Sequence, residues 1–153
     1  MYSKTEKTNV MKKVISYAAC LIMITSVAAT PTSKVLKSFS ETFPNASNVK
    51  WSDDKEGYFV SFTQNGNFEK VLYNKSGNFV CSWKYSDGKE LSMPVLMALK
   101  KNYKDCEITG VTEFATDQNV SYEVKLTNSK NWYSVKVSSE GRITGSEKFN
   151  KTE

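Results

Sequence analysis

Histidine is absent from all 153 positions. Its absence removes the side chain most used as a general base near neutral pH and as a metal ligand, and with it the Ser–His and Cys–His nucleophile pairs. Cysteine is scarce: Cys20, Cys81 and Cys106 are the whole supply. None has a partner at metal-ligand spacing, so neither zinc nor an activated thiol is indicated. Three prolines and seven glycines are too few for a disordered tract, and 39% apolar residues suffice for a packed core. The basic excess is small, 21 residues against 16, and beyond position 29 it shrinks to 17 against 15. No basic cluster remains there to neutralise phosphates, which argues against nucleic acid as a partner.

Long apolar runs are also missing, with one exception. Residues 14–29 are uncharged and mostly apolar, follow Lys12-Lys13, and end in the small residues Val27-Ala28-Ala29. This is the pattern of an export signal, with cleavage expected near Ala29 and 1–29 set apart from the fold. Met11 precedes the two lysines, so 1–10 reads as an upstream extension of the start. A retained anchor is the competing reading, but 16 residues fall short of the roughly 20 that span a bilayer as a helix. Cys20 raises lipid attachment; Tyr17-Ala18-Ala19 stands where a Leu three residues before the cysteine is favoured, and the apolar run continues to Ile24. The expected location is the periplasm or beyond, with no stable membrane anchor after signal removal. In such a compartment Cys81 and Cys106 can form one disulfide; two separate buried thiols fit equally well.

What remains reads as a repeat. Val35, Leu36, Phe39 and Phe43 give a helical apolar stripe over 33–44, and Val95, Leu96, Leu99 and Tyr103 restate it sixty positions on, with Ser92 as N-cap and Pro94 in the first turn. After each helix the period becomes two. Tyr58, Val60 and Phe62 match Tyr122, Val124 and Leu126 at an offset of 64, which also aligns Phe68 with Trp132, Val71 with Val135, Tyr73 with Val137, Gly77 with Gly141 and Phe79 with Ile143. Strands are expected at 48–52, 57–64, 67–74, 78–85, 107–114, 120–127, 131–138 and 142–149. The change of offset from 60 to 64 is expected to reflect a longer first hairpin in the second copy. The fold class is therefore α+β, two tandem α-β4 repeats at 33–86 and 94–150 joined by a linker at 87–93, each a helix on a four-stranded antiparallel meander. Alternation assigns Tyr58, Val60, Phe62, Val71, Tyr73 and Phe79, with Tyr122, Val124, Leu126, Val135, Val137 and Ile143, to the helix-facing core.

Phe43-Pro44-Asn45-Ala46, Val49-Lys50-Trp51, Gly57-Tyr58, Asn65-Gly66 and Gly77 together resemble the PepSY-like repeat of the β-lactamase-inhibitor-like family. Glu90-Leu91-Ser92-Met93-Pro94-Val95 and Tyr103-Lys104-Asp105-Cys106 are a looser second copy. The resemblance covers about 33–150 and implies exported proteins with helices packed on antiparallel sheets. It carries no catalytic residues and does not by itself imply β-lactamase inhibition; the cysteine pattern departs from a two-disulfide inhibitor.

Asp53-Asp54 falls in an expected turn, and Asp105 and Glu107 flank a helix end, so all four read as solvated groups. No cofactor or metal is expected. The other sheet face is expected to expose Phe59, Phe68, Leu72 and Val80 among Ser61, Lys70, Ser82 and Lys84, with Trp132 in the second copy among Glu123, Lys125, Thr127, Ser134, Lys136 and Lys148. Mixed aromatic and polar surface suits a protein interface; the competing reading folds Phe68 and Trp132 over the hairpin corners. The expectation is a non-enzymatic binding protein meeting an envelope or extracellular protein through Phe59, Phe68, Lys70, Leu72, Lys84 and Trp132. The alternative is a small-ligand carrier or sensor.

Overall fold

The computed structural model describes residues 30–152; the expectations for 1–29, Cys20 included, lie outside them. Helix α1 (Ser33–Thr42) precedes strands β1 (Ser47–Asp53), β2 (Gly57–Gln64), β3 (Asn67–Asn74) and β4 (Phe79–Ser86); helix α2 (Met93–Asn102) precedes β5 (Glu107–Thr116), β6 (Val120–Thr127), β7 (Asn131–Ser138) and β8 (Ile143–Asn150). Thr32 caps α1 by accepting a hydrogen bond from the Val35 N–H at 3.4 Å. Ser92 occupies the N-cap of α2 but makes no side-chain bond to it, Pro94 sitting in that first turn. Asn65 and Gly66, both at positive φ, make the two-residue turn between β2 and β3. That conformation matches the right-handed twist of the strands.

The strands form one sheet in sequence order, not two separate meanders. β4 pairs with β5 from Cys81↔Thr116 to Ser86↔Val111, fusing the halves. The extra residues of the second half extend β5 rather than lengthening a loop. The reason is positional: β1 is an edge, whereas β5 must match β4 on one side and β6 on the other.

Both helices cover the same face. Val35 and Phe39 pack on Val60, Phe62, Val71 and Tyr73, with Trp51 and Tyr58 against this cluster. Leu91, Val95 and Leu99 pack on Val111, Val124, Leu126, Val135 and Val137, with Tyr122 and Ile143 alongside. Burial pushes the Tyr73 hydroxyl up to about 12. Leu36 of the expected stripe is exposed.

Two β-bulges correct the expected alternation. The pairing shifts between Leu72↔Cys81 and Tyr73↔Phe79, leaving Val80 as the extra residue, and again between Lys136↔Gly145 and Val137↔Ile143, leaving Thr144. An inserted residue reverses the facing of everything beyond it on its strand. Ser82 and Lys84 therefore stand on the helix side, opposite Val71 and Glu69, and Lys148 stands there opposite Tyr133. Phe79, assigned to the core, is 40% exposed beside the bulge.

The turns after β3 and β7 abut the helix starts. Gly141 has φ +83°, and a Cβ there would lie 2.5 Å from the Pro94 carbonyl oxygen, whereas one at Gly145 would meet nothing nearer than Lys136 at 3.8 Å. Gly141→Ala should therefore cost about 2 kcal/mol or more in urea unfolding, and Gly145→Ala less than about 1 kcal/mol.

Candidate functional site

The sheet face opposite the helices is built by alternation. On β2 and β3 it presents Phe59, Ser61, Phe68, Lys70 and Leu72; on β4, past the bulge, Cys81, Trp83 and Tyr85; on β5, Thr112 and Phe114. Four of these side chains form a row across four strands. Lys70 Nζ lies 4.2 Å from the Phe59 ring centroid and 5.9 Å from that of Trp83, Phe59 and Trp83 are 6.2 Å apart, and Trp83 is 5.4 Å from Phe114. Ammonium-over-ring contact is worth about 0.5–1 kcal/mol at exposed sites, more once water is removed. Among the described residues Lys70 joins no ion pair.

The two hairpin corners carry matched aromatic pairs 64 positions apart. Phe68 pairs across to Tyr85, rings 5.6 Å apart, and Trp132 pairs across to Phe149. They are exposed by 49%, 42%, 46% and 52% in that order. Each ring thus keeps about half its surface open beside its cross-strand neighbour, and Lys151 reaches to 4.6 Å of the Trp132 ring. Phe68 and Tyr85 wall a cleft of about 650 Å³ that the β2–β3 turn, Asp87 and Lys89 complete.

Between the Phe114 seam and the Trp132–Phe149 corner, the second half of this face is polar. Lys125 bonds Glu123 and reaches Ser134 Oγ at 2.9 Å, while the Ser134 hydroxyl donates to Glu123 at 2.7 Å. The Lys125 ammonium and the Ser134 hydroxyl hold the Glu123 carboxyl below its ordinary range. Where aromatic and polar halves meet, Trp83, Phe114, Glu123 and Lys136 line a cleft of about 330 Å³.

Of the expected interface residues, Phe59, Phe68, Lys70, Leu72 and Trp132 lie on this face, Leu72 buried within it. Lys84 does not. It stands on the helix side between Glu69 and Glu113 of the flanking strands and is ion-paired with Glu90. Burial raises the Glu69 carboxyl, and the Glu90 bond raises the Lys84 ammonium. Cys81 and Cys106 are both free. Cys81 pairs opposite Thr116 at one end of β5 and Cys106 precedes its other end, roughly 30 Å away at 3.3 Å per residue, beyond disulfide reach. Burial pushes the Cys81 thiol up.

Trp83, Tyr85, Phe114 and Phe149 were not anticipated here. One signal pointed to the first two: their counterparts at +64 are Glu147 and Phe149, and a carboxylate directed into the core under a helix would be costly. That cost favours a break in alternation on the last strand of the second half, and the repeat carries it to the first. Among the described residues no group of three or more acidic or cysteine side chains is arranged to hold a metal.

No protein-family profile matches the chain, and no curated protein matches it by sequence. Solved structures do match. A DUF2874 family protein from Bacteroides uniformis is 19% identical with TM-score 0.62, covering 78% of this chain and 90% of that one. One from Bacteroides ovatus is 22% identical at TM-score 0.63, covering 78% and 89%. A BLIP-like protein from Bacteroides fragilis is 15% identical at TM-score 0.63, covering 82% and 91%. At these identities the likeness establishes a shared fold: the chain has a BLIP-like α+β fold.

Lys84→Gln should leave Glu69 and Glu113 facing each other without a cation, costing about 1–2 kcal/mol at pH 7. Because the fold raises the Glu69 carboxyl, its contribution is favourable below the unfolded value and is lost as pH rises through the folded one. Removing the lysine enlarges that loss. The deficit should therefore narrow on acidification to about pH 4, as urea midpoints at the two pH values will show.

Proposed function

We propose that this chain is an exported, non-enzymatic binding protein of the PepSY-like type, built from two tandem α-β4 repeats at 33–86 and 94–150, that engages an envelope or extracellular protein through its open sheet face. The observation that carries this reading is the Phe59–Lys70–Trp83–Phe114 row, flanked by half-exposed aromatic corners on a face that neither helix covers. Eight strands of about eight residues span about 34 by 26 Å. That is roughly 900 Å², comparable with the ~800 Å² that each partner contributes to a stable interface. Aromatic anchors surrounded by polar groups are the composition of binding hot spots.

Export is supported by the signal-like residues 1–29, and a structural relative from Bacteroides eggerthii, of TM-score 0.63 and 17% identity, is provisionally described as periplasmic. No helix among the described residues is long and apolar enough to cross a membrane. A non-catalytic role accords with the lack of histidine and with the fold likeness to a BLIP-like protein. Tyr58 and Tyr122 pack against the two helix-covered cores, which speaks against a ligand held beneath the middle of either helix.

Affinity capture from native envelope extract should retain one protein on the wild-type chain. A Phe68→Ala, Tyr85→Ala variant with an unchanged thermal midpoint should bind it at least about 100-fold more weakly, two hot-spot losses of the usual size. Equal retention by both would contradict the sheet-face reading.

A further inference from the structure

The two helix-covered cores differ in what fills the end near each helix C-terminus. In the first, Phe39, Phe43 and Phe62 meet with ring centroids 4.7–5.5 Å apart, and Trp51 meets Phe39 at 5.3 Å. At the matching positions the second core has Leu99, Tyr103, Leu126 and Val111, so three of four rings are replaced by aliphatic side chains. The remaining ring, Tyr103, leans on Tyr133 at 5.4 Å, and its hydroxyl is bonded to Ser146 Oγ at 2.8 Å. Beside it an open groove of about 670 Å³ runs between the end of α2 and strands β5 and β6, walled by the part-exposed Leu96 and Ile108, floored by the buried Leu99 and Leu126, and reaching Cys106.

Lys100, Lys104 and Glu107 border the groove. Among the described residues neither lysine is within ion-pair distance of a carboxylate. We propose that the groove binds a small unbranched aliphatic monocarboxylate, its chain along Leu96 and Ile108 over the buried leucines and its head group at Lys100 and Lys104. An aliphatic wall with few polar groups favours a flexible hydrocarbon chain, and the volume lies in the range of small-ligand sites. The negative end of the α2 dipole opposes an anion here; the lysines offset it. Glu107 leaves the border with one net positive charge, matched to a single carboxylate. The site is separate from the open sheet face and does not depend on its role.

The test is displacement of a fluorescent polyene fatty acid from the purified chain by the saturated C8, C10 and C12 acids, each kept below its micelle-forming concentration. Saturable uptake of one probe per chain is expected, with affinity rising about fourfold per methylene. Leu99→Phe with Leu126→Phe, which installs the first core's rings, should weaken uptake at least tenfold. Lys100→Gln with Lys104→Gln should weaken the acid about tenfold and leave the matching alcohol unchanged. Should the doubly filled variant fail to fold, alkylation decides: bound acid should slow modification of Cys106 in the wild-type chain and leave Cys81 unaffected. Absence of saturable uptake, uptake insensitive to filling the groove with alkylation of Cys106 unslowed, or binding to anionic vesicles without binding of the free acid would each overturn the proposal.

Discussion

Pairing of β4 with β5 is the constraint on which the rest depends. Six residue pairs join the two halves into one ladder, and a single sheet has only two faces. Both helices lie on one of them, so among the described residues the other is left to the strands alone. The seam itself is chemically divided. On the helix side it carries Ser82, Lys84, Glu113 and Ala115, so the two apolar cores stay separate; on the open side Trp83 meets Phe114 at 5.4 Å. The aromatic contact across the junction thus belongs to the open face.

Much of this was legible in the sequence because helix and strand periods differ and because matched positions reinforced each other. Tyr58, Val60 and Phe62 declared a half-buried strand, Asn65-Gly66 its turn, and Val95 and Leu99 the buried stripe of α2. What failed is equally specific. Alternation was carried through β4 and β8 without interruption, and the bulges at Val80 and Thr144 reversed it, moving Lys84 and Lys148 to the helix side and Trp83, Tyr85 and Phe149 outward. A bulge costs little locally, and its one trace in the sequence was the carboxylate of Glu147 at a position that unbroken alternation would turn into the core. Pairing of β4 with β5 was hidden for a different reason: α2 and its flanking turns intervene in sequence, so no local pattern records that the strands are neighbours.

The halves share element order and bulge positions but differ where each could do something. The first fills its core with rings and places more rings on the open face; the second fills its core with aliphatic side chains and places the Glu123–Lys125–Ser134 network outside. Aromatic groups are thus concentrated in the first half. The half with fewer rings retains a groove at the end of its helix.

The central claim is that the open face, not the helix layer, meets the partner. A photo-crosslinking phenylalanine analogue placed at Tyr85 on that face, and separately at Met97 on the outer side of α2 where the side chain is 65% exposed, tests it in intact cells. A discrete adduct from position 85 with none from position 97 is the predicted result; an adduct from position 97 alone would place the partner on the helices and contradict it.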